Sequence, residues 1–290
     1  MRTIVITGAN SGLGFETAKK IARNKDYEII LACRNVDKAN IARDKIINET
    51  KNQNIIPMVL DTSSLESVRN FVEKFKELNK KVYSLINNAG ISSMGHDGFS
   101  VDGVEIVCAT NYLGHFLLTN LLLPYMEENG KIINVTSDMH NPPGGIKWRD
   151  PEELFHPKEN DRRKYSYSKL CNIYFTYELD EILRNKNSNI LVNAFNPGMM
   201  NTNFSGGHNS KARTTMVKLT MPERLGDLDK SSTALAELII NDKFKDTGKY
   251  YDRSTNYTNS SELSYNIENR KDLWNKSLLI VGLEFKKLDK

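Results

Sequence analysis

The stretch Thr3-Ile4-Val5-Ile6-Thr7-Gly8-Ala9-Asn10-Ser11-Gly12-Leu13-Gly14 decides how this chain is read. Its β-branched apolar half predicts a strand buried on both faces, and its glycine-rich half predicts a turn that leads straight into a helix. The helical spacing continues through Leu13, Ala18, Ile21 and Ala22. Backbone with little side-chain cover at Gly8, Asn10, Ser11, Gly12, Leu13 and Gly14 would let a dinucleotide's pyrophosphate approach the positive end of that helix. The spacing is Gly-x-x-x-Gly-x-Gly, not Gly-x-Gly-x-x-Gly, so the strand before and the helix after carry the reading. An ordinary tight strand-to-helix turn is the structural alternative.

Further runs rich in Ile, Val and Tyr follow at 28–32, 56–60, 83–87, 131–136, 190–195 and 249–252. Stretches of helical spacing separate them, such as Leu65, Val68, Phe71, Val72 and Phe75, a stretch that begins with Ser63 and Glu66 at capping-box spacing. Strands that alternate with helices need crossovers, and right-handed crossovers on both faces produce a doubly wound parallel sheet. The expected architecture is therefore an α/β Rossmann fold of about seven strands with ligands outside the strands' carboxyl ends. Residues 1–290 read as a single domain. Two segments, 140–160 and 199–230, break the alternation, and the second is the expected substrate loop. A helical tail over about 266–290, spaced through Leu273, Trp274, Leu278 and Val281, is expected to dock on the domain.

Composition removes several classes of function. The 40 basic and 36 acidic residues are interspersed, leaving a net charge of +4 with no basic face, so nucleic acid is not an expected partner. Cys33, Cys108 and Cys171 lack metal or redox spacing and read as free packing thiols of a reducing compartment. His115, His140 and Trp148 likewise have no ligand spacing and read as packing or pocket-wall residues, so no metal is expected. The chain starts directly with a strand, and no run of about 18 apolar residues is apparent, which predicts a cytoplasmic protein with no integral membrane segment. A homodimer is compatible with the pattern.

The end of the second strand selects between nicotinamide cofactors. An acidic residue there would bind ribose hydroxyls and repel a 2′-phosphate, but the chain has Cys33-Arg34-Asn35. The guanidinium of Arg34 suits a phosphate, which predicts NADP. Asp61-Thr62 ends the third strand, where Asp61 would accept from the adenine amino group or begin a helix cap with Thr62 and Ser63. Asn87-Asn88-Ala89-Gly90 ends the fourth, where small residues allow close approach to the cofactor ribose.

Tyr165 and Lys169 stand at i and i+4 in Tyr165-Ser166-Tyr167-Ser168-Lys169, so a helix places phenol and ammonium on one face as a coupled proton donor. Tyr167 is the decoy, because four residues beyond it stands the uncharged Cys171. A phenol titrates near pH 10, and a neighbouring cation would favour its phenolate.

With these motifs placed, the chain resembles the short-chain dehydrogenase/reductase family over nearly its full length. The resemblance rests on Thr7 to Gly14, Asn87 to Gly90, Asn111, Ser137, Tyr165 to Lys169, and Asn196-Pro197-Gly198 with Thr202. The wording Leu31-Ala32-Cys33-Arg34, Asn111-Tyr112-Leu113-Gly114-His115-Phe116 and Ser168-Lys169-Leu170-Cys171-Asn172 is similar to the retinol dehydrogenase and light-dependent protochlorophyllide reductase branch. The resemblance implies that Tyr165 is the general acid or base, that Lys169 tunes it and holds the nicotinamide ribose, and that Ser137 orients the substrate oxygen. It implies too that Asn111 completes a proton relay, and that Pro197, Gly198 and Thr202 contact the nicotinamide amide.

The expected function is an NADP-dependent oxidoreductase moving hydride between nicotinamide and a carbonyl or alcohol carbon, with reduction of a ketone or aldehyde favoured. The alternative is a catalytically silent NADP-sensing regulatory protein of the same fold. The substrate pocket should draw on 92–95, 140–148 and 199–216, and Met94, Met199, Met200, Phe204 and Met216 suggest an apolar substrate.

Overall fold

Ile4, Val5 and Ile6 of the first strand, β1 (Arg2–Thr7), are wholly buried, as expected where helices cover both faces of a parallel sheet. The computed structural model describes residues 1–159, 161–200 and 221–284. The chain winds from β1 through α1 (Gly12–Ala22), β2 (Tyr27–Cys33), α2 (Val36–Thr50), β3 (Ile55–Val59), α3 (Leu65–Glu77) and β4 (Val82–Asn87). It then crosses to β5 (Met126–Val135) by way of α4 (Ile106–Cys108), a π-turn at Ala109–Leu113 and α5 (Gly114–Leu122). A short α6 (Pro151–Phe155) and a long α7 (Lys164–Asn185) lead to β6 (Leu191–Asn196). α8 (Leu228–Ile240), β7 (Tyr250–Asp252), β8 (Tyr257–Thr258) and α9 (Ile267–Ile280) complete the described chain.

The strands form one eight-stranded sheet in the order β3-β2-β1-β4-β5-β6-β7-β8. Every pairing is parallel except that of β7 with β8. Winding reverses between β1 and β4, and the carboxyl ends of those strands flank the crevice where such folds take ligands. The expected strands are all present with shifted ends, and β8 is an addition. Its two residues are exposed and antiparallel, too short to show any periodicity. β3 departs from the expectation of strands buried on both faces, because it lies at the sheet's other edge and is only partly covered.

Two expectations are corrected. The cap of α3 is Ser64, whose side chain accepts from Ser67 N at 3.2 Å, while Ser63 turns back to Asp61. The segment Ile106–Tyr125, with mean hydropathy 1.4, is long and apolar enough to cross a membrane, contrary to the expectation that no such run exists. Its polar Thr110, Asn111, His115 and Asn120 interrupt the apolar pattern, so no unbroken apolar run marks it in the sequence. In the folded chain 78% of it is buried, and it forms the central helix of the core on one face of the sheet.

The tail docks as expected. Leu273, Trp274, Leu278 and Val281 are buried in the same core, the Trp274 ring meets Phe116 edge-on at 4.9 Å, and Tyr112 Oη bonds Ser277 Oγ at 2.7 Å. Arg270 anchors the helix to Glu178 and Glu181 of α7. A buried tryptophan at such a joint is worth about 3–5 kcal/mol against alanine.

Candidate active site

The glycine-rich turn is shaped by close backbone approach. Gly8 has φ +65°, and a Cβ there would stand 2.9 Å from Ala89 Cα; one on Gly14 would stand 2.5 Å from Asn88 Nδ2. Such contacts exclude side chains and hold β1 tightly against the end of β4. Ser11 caps α1 without a side-chain hydrogen bond, and the first turn carries no acidic residue, so its N–H groups remain available to an anion.

Beneath this turn Thr7 Oγ1 accepts from the backbone N–H groups of Asn88 and Ala89, each at 2.8 Å. With both lone pairs taken, its proton goes to His115 Nε2 at 2.9 Å, and Nδ1 of that ring then donates to Asn111 O at 3.1 Å. Burial pulls the His115 pKa down to about 4, which keeps the ring neutral as this arrangement requires.

The second half of the site is built on α7. Lys169 is 3% exposed and donates to Val135 O, the last carbonyl of β5, at 3.1 Å. Burial draws its pKa down to about 8, still above neutrality, so the ammonium form prevails at pH 7. Its Nζ lies 5.5 Å from the centre of the Tyr165 ring, one turn earlier on the same face. Thr136 Oγ1 donates to Lys169 O at 2.8 Å, and Asn172 Nδ2 joins Lys169 on Val135 O at 3.1 Å, so β5 and α7 are locked where their ends meet.

Asn111 is fully buried within the π-turn. It exchanges two hydrogen bonds with the Ile91 backbone, at 2.8 and 3.0 Å, and donates to Ser168 Oγ at 3.0 Å, which in turn donates to Tyr165 O at 2.8 Å. It therefore braces the first turn of α7 and the segment after Gly90. Ser137 follows β5 directly. Its hydroxyl accepts from Met139 N at 3.1 Å and donates to Asp138 Oδ1 at 3.0 Å.

One cavity of about 870 Å³ brings most of these groups together at the carboxyl ends of the strands. From the cofactor motifs it is lined by Gly8, Asn10, Ser11, Gly12, Leu13, Arg34, Asp61, Thr62, Asn88, Ala89, Gly90, Pro197 and Gly198, and from the reacting groups by Ser137, Tyr165 and Lys169. Gly14 and Asn111 support the walls from behind. Thr202 lies outside the described residues, as do Phe204 and Met216. Asp61 lines the cavity, and its Oδ1 accepts from Ser63 N and Oγ at 2.9 and 2.6 Å, ahead of the cap at Ser64.

The segment 140–148 does not line the cavity as expected. Trp148 instead packs edge-on against Tyr174 at 4.8 Å, and His140 turns inward. Sequence reading missed Lys38, His96, Asp138, Met139 and Arg162, which do line it. Lys38 sits in the first turn of α2, where its backbone N–H donates to the cap residue Asn35. The others belong to loops without periodicity.

Comparison with known proteins agrees with this geometry. The sequence model described as short chain dehydrogenase matches residues 2–145. Retinol dehydrogenase 13 of Homo sapiens is 36% identical over 290 residues, covering 98% of this chain and 85% of that protein. The chain belongs to the short-chain dehydrogenase/reductase family. Its place is in the retinol dehydrogenase branch. The chloroplastic short-chain dehydrogenase TIC 32 A of Brassica napus is 31% identical over 96% of this chain and 88% of its own length. A crystal structure of an uncharacterised Mycobacterium paratuberculosis protein superposes with TM-score 0.73 at 30% identity, covering 98% of this chain and 95% of that one.

Members of this family bind nicotinamide cofactors and transfer hydride to or from small molecules, and this chain is an oxidoreductase of that kind. Its residues suit such a cofactor, since the approach at Gly8 and Gly14 leaves bare backbone beside an uncapped helix start, with the cation Arg34 at the end of β2.

Proposed function

We propose that this short-chain dehydrogenase/reductase uses NADP and reduces the carbonyl of an apolar ketone or aldehyde. The reading is carried by the single cavity in which the glycine turn, Arg34, Ser137, Tyr165 and Lys169 converge. When bound, the nicotinamide supplies or accepts the hydride. The turn from Gly8 to Gly14 would hold the pyrophosphate, Arg34 and Lys38 the 2′-phosphate, Asp61 and Thr62 the adenine side, and Asn88 to Gly90 the ribose. Pro197 and Gly198 would face the nicotinamide amide.

Tyr165 gives its hydroxyl proton to the substrate oxygen as negative charge develops there. The Lys169 ammonium, held by Val135 O, favours the phenolate that remains. Asn111 keeps the first turn of α7 and the Ile91 segment in register, so the tyrosine presents its oxygen at a fixed place. Ser137 donates to the same substrate oxygen, and to do so its proton must leave Asp138 Oδ1. Met94, Met139, Met199 and Met200 line the cavity as soft apolar wall, which favours a hydrophobic carbonyl compound over a sugar.

The test is a panel of aldehydes and ketones of graded polarity with NADPH oxidation as readout, run beside a fluorescence titration of NADPH binding. Turnover of apolar carbonyls, at least about a thousandfold lower in Tyr165→Phe with NADPH affinity retained, is the expected result. Full activity in that variant, or binding of NADPH with no turnover of any carbonyl or alcohol, would contradict the reading.

A further inference from the structure

Ser137 leads into a single turn, Asp138–His140, and the last residue of that turn is 5% exposed. The two hydrogen bonds of the His140 ring fix where its proton sits. Ser261 N lies 3.0 Å from Nε2, and a backbone N–H only donates, so Nε2 is the accepting nitrogen. The proton is then on Nδ1, 2.7 Å from Ser137 O, a carbonyl that also receives the backbone N–H of His140 at 3.0 Å. The ring rests against Tyr250 of β7, with centroids 5.3 Å apart. One imidazole thus spans from the backbone of Ser137 to the residue that opens the turn Glu262–Tyr265, immediately before α9.

We propose that His140 is a positioning residue for Ser137, and that through Ser261 it makes the docked C-terminal segment part of the support of the substrate-orienting serine. The proposal rests on the role given to Ser137 above. The serine hydroxyl must turn from Asp138 to the substrate, and it turns about a backbone that His140 pins at the carbonyl. Without the pin the turn Asp138–His140 is free to shift, and a displacement of about 1 Å in an orienting group lowers rate by about a hundredfold.

The device needs a neutral ring. A proton on Nε2 would point at the N–H of Ser261, donor against donor. Four groups face the imidazole: Asp138 on its own turn, Asp252 and Tyr250 on β7, and Arg224 from the turn Pro222–Arg224. Asp252 is itself paired with Arg253 at 2.6 Å. Burial outweighs the hydrogen bond to Ser137 and the two aspartates, with Arg224 on its side, so the His140 pKa lies below the usual histidine range. The acid limb of turnover should then lie below that range too.

Three variants separate the two arms of the ring. His140→Gln keeps an acceptor within reach of Ser261 N and loses the donor to Ser137 O; kcat should fall about a hundredfold with the NADPH dissociation constant unchanged. His140→Asn keeps the donor to Ser137 O and should stay within about fivefold of the wild-type kcat. Replacing the Ser261 amide by an ester, with the α-hydroxy analogue of serine incorporated at that position, removes only the N–H facing Nε2. That N–H favours the neutral ring, so its loss should move the acid limb of kcat to higher pH.

Unchanged kcat in His140→Gln, or an unmoved acid limb in the Ser261 ester, would overturn the proposal. Parallel losses of kcat, NADPH affinity and unfolding midpoint in all three variants would overturn it as well, leaving His140 a structural prop. A Ser137→Ala enzyme with full turnover is a different result, since it removes the role of Ser137 itself.

Discussion

Lys131 and Lys169 are both buried, both have their pKa drawn down to about 8 chiefly by burial, and both serve the same strand from opposite ends. Lys131 sits within β5 and donates to the carbonyls of Leu238, Ile239 and Asn241, at 3.0, 3.0 and 3.2 Å, where α8 ends. A cation there meets the negative end of a helix, and each of its protons is placed. Among the described residues Lys169 makes one side-chain hydrogen bond, to Val135 O at the far end of β5, and it lines the cavity beside Tyr165. A depressed lysine therefore does not mark an active site by itself. Unspent donors beside an open cavity mark it, and a lysine whose donors are all used is a fastener.

Replacing each lysine by methionine should pull the pair apart. Lys169→Met is expected to lower kcat/KM by about a thousandfold or more while leaving the protein folded. It should also stabilise the fold, by up to about 3 kcal/mol near neutral pH, because an ammonium with a folded pKa near 8 and an unfolded one near 10.4 is penalised on folding. The sign follows from proton binding. Below pH 8 both states are protonated and the penalty is whole; between 8 and about 10.4 only the unfolded state holds the proton, so wild-type stability recovers with rising pH. Urea unfolding of both proteins from pH 7 to pH 10 should show the gap closing, and a constant gap or a less stable variant would break the comparison.

The cofactor end gives the next largest effect. Arg34→Ala should lower the preference for NADPH over NADH about 10- to 100-fold, the value of a charge-assisted phosphate contact, in dissociation constants measured side by side. Lys131→Met should change turnover by less than about twofold, and any gain in urea unfolding free energy near neutral pH should be smaller than that of Lys169→Met, because three carbonyls lose their donor and offset the same penalty on the buried charge. The smallest change expected is for Lys38→Ala, about threefold in NADPH affinity with NADH unaffected, since an exposed lysine meets the phosphate as a screened point charge.

Much of this architecture was legible because it is periodic. The apolar runs that became β1, β2 and β4 are sealed on both faces, so hydrophobicity alone locates them, and Gly8 and Gly14 mark places where any larger residue collides with Ala89 or Asn88. Tyr165 and Lys169 were legible because helical spacing converts sequence distance into a shared face. What escaped is aperiodic or long-range. β8 is two residues paired with β7, the cavity wall at Asp138, Met139 and Arg162 lies on turns, and the ring of His140 meets Ser261, 121 positions away. The capping-box spacing points to Ser63 because a spacing rule cannot see that Ser63 donates to Asp61, leaving the cap to Ser64.

Under the proposed function, hydride passes at the place where Tyr165 and Lys169 meet the cofactor cavity. Its most direct test supplies NADPH deuterated at C4, on the face the enzyme uses, with an apolar aldehyde or ketone, and weighs the alcohol formed. The account predicts one deuterium on the former carbonyl carbon with the wild-type enzyme and no labelled alcohol above background with Tyr165→Phe. Labelled product formed equally well by both proteins, or reduced product that carries no deuterium from either face, would contradict it.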